Sequence, residues 1–185
     1  MCRCVTVPSD WDTMLEEGSL ESVVRVNDLY TDFPGYRDYL KGMAEEGIAT
    51  TDKLSRCIGV GVYSEETGNA YVAHFLVESM GQREYLDGLM DFYGEIAGEE
   101  GFYPSETPEH NFKAFAGGNI LPDLAVCDII NQVTENGGKR LITEEFLDQN
   151  FSNWNVNWGS ENDETEISID SGTGVFWYDG ERQVF

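Results

Sequence analysis

Basic residues are scarce: 11 Lys and Arg stand against 35 Asp and Glu, a formal net charge of -24 over 185 residues. Phosphate backbones and anionic membrane faces are held by clustered Lys and Arg. Bases this few and this scattered exclude direct nucleic-acid binding and membrane-surface docking. Histidine and cysteine are scarcer still, at two and four. Cysteines at 2, 4, 57 and 127 are too few and too irregular for a disulfide framework, and Cys2-x-Cys4 has no second ligand pair to close a tetrahedral zinc site. They read as reduced thiols of a cytoplasmic protein, with no metal expected. No stretch approaches the ~20 apolar residues of a membrane span. The start, Met1-Cys2-Arg3-Cys4-Val5, runs into Pro8, Asp10 and Asp12 without an apolar segment or a small-residue cleavage site, so export is not expected.

What is present suffices for a core: 41% of the residues are hydrophobic and 12% aromatic, a composition that folds rather than remaining a disordered acidic chain. The acidity is spread, with 17 acids and 7 bases before residue 93 and 18 acids and 4 bases from there on. Neither half is a basic module. Three origins compete for it: solubility in a saline cytoplasm, docking on a basic protein, or mimicry of nucleic acid.

Along the chain, residues 10–45 read as helix and turn, with Asp10 or Asp12 as N-cap, a break at Asp32-Phe33-Pro34-Gly35 and a short helix over 36–43. From Cys57 the period becomes two. Cys57, Gly59, Gly61 and Tyr63 fall on one side of a strand, and Ile58, Val60 and Val62 on the other. After the polar turn 64–69, Ala70 to Val77 predicts its hairpin partner. Tyr85, Leu86, Leu89, Met90, Tyr93, Ile96 and Ala97 predict an amphipathic helix ending near Gly98. A strand over 111–115 is expected to stop at Ala116-Gly117-Gly118-Asn119. A helix from Pro122 is expected to stop at Asn136-Gly137-Gly138, with another short one from Thr143. Trp154, Val156 and Trp158 alternate as a strand, and Ile167 to Tyr178 forms a closing hairpin across 170–174. The pattern predicts an α+β fold of the α/β-sandwich kind, with mixed sheets and flanking helices. Residues 1–44 form a helical extension and 45–185 a single domain, without repeats or linkers.

With so few nucleophiles and bases the catalytic options can be enumerated. Cys2 and Cys4 lie at the terminus and Cys127 on an apolar run, which makes them unreactive. Cys57 opens a strand just after the polar stretch 50–53, where a thiol can face a cleft with its own backbone N–H open to a developing oxyanion. His74 lies 17 residues on, in the second strand of the same hairpin, where antiparallel pairing can set the imidazole beside the thiol. The alternative is a core histidine tied to a backbone carbonyl, since a polar group in so apolar a strand must find a partner. His110, in a loop, is the weaker base.

Leu54-Ser55-Arg56-Cys57 and the strand after it, Ala70 to Val77 with its Ala-His-Phe, Lys113-Ala114-Phe115-Ala116-Gly117-Gly118-Asn119, and the hairpin 166–178 together resemble the CheD chemotaxis deamidases over roughly residues 45–180. The Leu-Ser-x-Cys string is also similar to the nucleophile motif of the cytotoxic necrotizing factor group of toxin deamidases. Arg56 stands where the family has a small residue, the Phe-Gly-Gly is shifted by one, and residues 1–44 have no counterpart. The resemblance implies a cysteine hydrolase that converts target-protein glutamine to glutamate through Cys57, His74 and Thr51, with Thr50 as the neighbouring choice for the third position. It implies no cofactor. The implied partners are a glutamine-bearing protein, either a chemoreceptor or a host target of an effector, and a regulatory protein. A catalytically silent CheD-like acidic adaptor or inhibitor that binds a basic protein is the competing expectation.

Overall fold

The structure, a computed structural model, describes residues 23–25, 39–52, 54, 57–77, 80–103, 111–118, 129–159 and 165–185. Their elements are β1 (Val23–Arg25), β2 (Tyr39–Ala44), β3 (Ile48–Thr51), β4 (Ile58–Ser64), β5 (Ala70–Phe75), α1 (Gln82–Glu100), β6 (Phe112–Gly118), α2 (Ile129–Asn150), β7 (Asn153–Trp158), β8 (Ile167–Asp170), β9 (Val175–Tyr178) and β10 (Glu181–Arg182). Two five-stranded sheets form, a first in the order β1-β3-β8-β9-β10 and a second in the order β2-β5-β4-β6-β7. This is the mixed α+β fold expected from the sequence.

The alternation read in β4 separates two cores. Ile58, Val60 and Val62, with Tyr71, Ala73 and Phe75 of β5, pack on Tyr85, Leu89, Phe92, Tyr93 and Ile96 of α1. Cys57 and Tyr63, with Ala70 and Val72, face Ala49, Ile167, Ile169, Phe176 and Tyr178 of the first sheet. Both faces of the second sheet are therefore covered, and β4 and β5 are buried along their whole length. On the helix side, Tyr93 and Phe112 meet Phe151 edge to face at centroid distances of 5.7 and 6.0 Å, a geometry that contributes about 0.5–1.5 kcal/mol per pair beyond area burial. Among the described residues no helix is long and apolar enough to cross a membrane.

Helix α1 starts where the Glu84 carboxylate accepts the Gly81 N–H at 2.9 Å. It ends at Gly101, whose φ of 77° is the left-handed conformation that glycine adopts without a Cβ penalty. Glu100 in its last turn accepts from Ser64 at 2.8 Å, Thr67 at 2.8 Å, Asn69 at 3.0 Å and the Tyr71 hydroxyl. One carboxylate thus ties the β4–β5 turn to the helix. Burial raises its pKa, but the four hydrogen bonds outweigh burial and hold it below the usual glutamate value of 4.5. A depressed carboxylate contributes stability that is present above its unfolded pKa and lost as pH falls through its folded pKa. Glu100→Ala is accordingly expected to be less stable than the parent in urea titrations at pH 7, with the gap narrowing steadily below about pH 4.5. A gap independent of pH would mean that the charge of Glu100 does not matter.

Four elements differ from the sequence expectation. Val23–Arg25, in the stretch read as helix, forms strand β1, parallel to β3, so the described residues before 45 include strands of both sheets and not a helical extension. Residues 39–44 form strand β2, antiparallel to β5 with Leu40 opposite His74, in place of the short helix over 36–43. The helix-forming Leu, Met and Ala of that stretch yield to a ladder on an otherwise open strand edge. Strand β6 does not stop at 115 but runs through Gly117 and Gly118, because β4 and β7 pair with it on both sides. Helix α2 continues through Gly137 and Gly138 to Asn150, absorbing the short helix expected from Thr143. A Cβ on Gly138 would meet the carboxamide end of the Gln82 side chain from α1, so the glycine leaves room for that side chain and does not end the helix. The segment 10–38 apart from β1 lies outside the described residues.

Candidate active site

Strand parity places the candidate residues. In the second sheet, His74 of β5 lies opposite Gly59 of β4, and Gly59 opposite Gly117 of β6. In the first sheet, Thr51 of β3 lies opposite Ile167 of β8, and Ile167 opposite Tyr178 of β9. These two rows face each other residue for residue. The Thr51 hydroxyl and His74 Nδ1 are 2.9 Å apart. A Cβ on Gly59 would stand 2.8 Å from Ile167 Cδ1, and one on Gly117 would stand 2.5 Å from the Tyr178 ring. The glycines let the opposite row approach, which brings polar atoms of two sheets within hydrogen-bond reach.

Cys57 is two residues before Gly59 and one before the first paired residue of β4, Ile58 opposite Phe75. It shares the inter-sheet core with Leu54, Ile167 and Tyr178, the side to which His74 extends from the neighbouring strand. A diagonal pair of this kind has its Cα atoms about 7–8 Å apart, within reach of an imidazole. Cys57 forms no disulfide. Cys57, His74 and Thr51 are all buried, at 6%, 2% and 0% exposure. A dry site disfavours a lone thiolate, so a Cys57 nucleophile depends on transfer of its proton to the imidazole. With Nδ1–H donated to the Thr51 hydroxyl, Nε2 carries the lone pair a base requires.

Parity also separates the two threonines. Thr51 meets His74, whereas Thr50 projects from the other face of β3, where its hydroxyl bonds Glu166 at 2.8 Å and pairs with that of Ser168 at 2.8 Å. The backbone N–H of Cys57 departs from the expectation that it stands open to an oxyanion: it donates to the Leu54 carbonyl at 3.4 Å, a long bond. The carbonyl of Cys57 is packed as well, because a Cβ on Gly118 would overlap its oxygen. Arg56, His110, Cys2, Cys4 and Cys127 lie outside the described residues.

Sequence reading missed Gly117, Gly118 and Tyr178 as parts of this corner. The two glycines were legible only as strand terminators and Tyr178 only as a hairpin residue, since their meeting depends on how the sheets stack. Among the described residues no group of three or more His, Cys, Asp or Glu gathers as a metal site. A half-open cavity of about 200 Å3, lined by Gly42, Met43, Tyr71, Phe92 and Glu95 among others, lies on the helix side of the second sheet, away from the thiol.

No family model and no curated protein matches the chain. Among solved structures it is similar to a hypothetical protein, YfiH, from Bacillus licheniformis, at 14% identity and a TM-score of 0.36. The match covers 75% of this chain and spans 60% of the length of that one. A likeness this distant carries no argument about activity.

Proposed function

We propose that the protein is a cysteine-dependent protein-glutamine deamidase. The observation that carries the reading is the 2.9 Å contact between Thr51 and His74 Nδ1, made across two sheets on the side of the inter-sheet core that holds Cys57, the only cysteine among the described residues. The sequence resemblance to CheD deamidases supports it at the same three positions. His74 Nε2 takes the Cys57 proton, and the thiolate attacks the carboxamide carbon of a glutamine side chain. The tetrahedral intermediate collapses as the C–N bond breaks, with His74 returning the proton to the departing ammonia, which leaves a thioester on Cys57. Water then gives a proton to His74 and attacks the thioester carbon; the C–S bond breaks, the thiol is restored and glutamate remains. No redox partner enters the balance.

The substrate on this reading is a glutamine-bearing protein with a basic surface, met in the cytoplasm and drawn by a net charge of -24. The test is mass spectrometry of chemoreceptor cytoplasmic domains and basic host proteins after incubation, with ammonia release followed in parallel. Gln-to-Glu conversion that appears with the wild type and not with Cys57→Ala supports the proposal, and conversion by both variants sinks it.

The burial of Cys57, His74 and Thr51 favours a second reading, in which the scaffold is a silent acidic adaptor for a basic protein and these residues are core. The readings separate on thiol chemistry. An activated Cys57 is alkylated quickly at neutral pH, and a core cysteine slowly.

A further inference from the structure

We propose that the Tyr178 hydroxyl is a catalytic hydrogen-bond donor to the carboxamide oxygen attacked by Cys57, which rests on the deamidase reading above. The placement follows from the stacked rows. The nucleophile precedes β4, the middle strand of the three that form the corner. His74 lies on its β5 side. Gly117 and Gly118 lie on its β6 side, with the Tyr178 ring against Gly117 and the Gly118 α-carbon against the Cys57 carbonyl. His74 and the Tyr178 ring therefore lie on opposite sides of β4, the strand that Cys57 precedes. A carboxamide bound there has a different need at each of its two ends, a proton for the nitrogen that leaves and donors for the oxygen that gains charge. His74 serves the first. The Cys57 N–H, already turned to the Leu54 carbonyl, serves the second poorly.

Tyr178 has the properties such a donor needs. It is 3% exposed, and its ring is held against Phe115 at a centroid distance of 5.5 Å. Its hydroxyl lies beside the Gly118 backbone and the Thr165 side chain without closing a hydrogen bond of good geometry to either. A buried hydroxyl left in that condition costs stability, and a catalytic role is one of the explanations for such a group. Burial, then the charge of Asp179, push its pKa up to about 12 against smaller opposing effects of Gly118, Thr165 and Arg140. It stays protonated through the neutral range, so it donates to an oxyanion without itself ionising.

The experiment compares wild type, Tyr178→Phe and Cys57→Ala on a synthetic Lys/Arg-rich peptide containing one glutamine and on any protein target found, reading ammonia release and the rate of Cys57 alkylation by iodoacetamide. Phenylalanine preserves the ring contacts with Phe115 and Gly117. The expected result is a kcat about 10²-fold lower in Tyr178→Phe, with KM within about threefold and the alkylation rate unchanged, because the thiolate depends on His74 and not on Tyr178. Wild-type turnover with an equal kcat in Tyr178→Phe overturns this inference and leaves the deamidase reading standing, as does a loss confined to KM. Wild-type turnover no faster than that of Cys57→Ala on every substrate overturns the deamidase reading and this inference with it.

Discussion

Replacing Cys57 by alanine is expected to lower glutamine deamidation by on the order of 10⁶-fold, the scale seen when the nucleophile of a nucleophile-base unit is removed, while leaving the fold in place. The two effects separate because the side chain is small. It contributes little area to an inter-sheet core that also holds Leu54, Phe115, Ile167 and Phe176, so the stability cost is about 1 kcal/mol. The chemistry has no such redundancy. Cys57 is the only cysteine among the described residues and His74 the only histidine, and the next sulfur nucleophile in the chain, Cys127, belongs to an apolar run. Circular dichroism and urea midpoints close to wild type, together with no ammonia release, are the expected pair of results. Full activity in Cys57→Ala would remove the nucleophile from the account.

A larger structural effect is expected at Gly118. Its missing Cβ position overlaps the carbonyl oxygen of Cys57 and lies 3.2 Å from the Cys57 carbonyl carbon and 3.4 Å from Ile58 Cα. These are backbone atoms, with no rotamer to relieve the clash. β6 is held by ladders to β4 and β7, so relief comes from displacing Cys57 or parting the strands. Overpacking of this kind costs about 1–3 kcal/mol, or a Tm lower by about 2–12 °C in a chain of this size. Gly118→Ala is expected to show that loss and, since the nucleophile itself is moved, a fall in kcat of at least about 10²-fold. Gly98→Ala is the matched control: nothing lies within 4 Å of its Cβ position on the exposed face of helix α1, and alanine there stabilises the helix by about 0.5–1 kcal/mol. Gly118→Ala as stable and active as wild type would mean that the Cys57 carbonyl is free to move.

Much of the fold was legible because one periodic signal governed it. The period of two from Cys57 to Tyr63 and the apolar run 70–77 defined β4, β5 and their faces, and the i, i+3, i+4 pattern defined α1. The errors share a cause. Gly117-Gly118 and Gly137-Gly138 were read by their conformational freedom, as stops. At Gly117, Gly118 and Gly138 the use is spatial: no side chain stands where the Tyr178 ring, the Cys57 backbone or the Gln82 side chain comes close, and nothing in the local sequence separates the two meanings. Residues 39–44 failed for a related reason, since a strand in which Tyr39 is followed by Leu, Lys, Gly, Met and Ala is specified by its partner β5 more than by its own propensity.

The candidate site was legible to the extent that it lies within one hairpin. Cys57 and His74 are joined by the β4–β5 register, and Thr51 follows from the parity of β3 once Thr50 is seen to serve Glu166 on the opposite face. Tyr178 was invisible because it reaches the site from 121 positions beyond Cys57, through the stacking of two sheets. The acidity now has a narrower role. None of the three site residues is acidic, so on the deamidase reading a charge of -24 stays outside the chemistry, and its proposed uses are solubility and attraction of a basic target.

The central claim is that His74, oriented by Thr51, draws the proton from Cys57. The most direct measurement is the rate of Cys57 alkylation by iodoacetamide as a function of pH, in wild type and in His74→Ala, with modification at Cys57 located by mass spectrometry. The account predicts a wild-type profile whose midpoint lies at least about one unit below the ordinary thiol value of about 8.5, and a midpoint at or above 8.5 in His74→Ala. Profiles that coincide, both at or above the ordinary value, would contradict it and leave Cys57 and His74 as core residues of a non-catalytic scaffold.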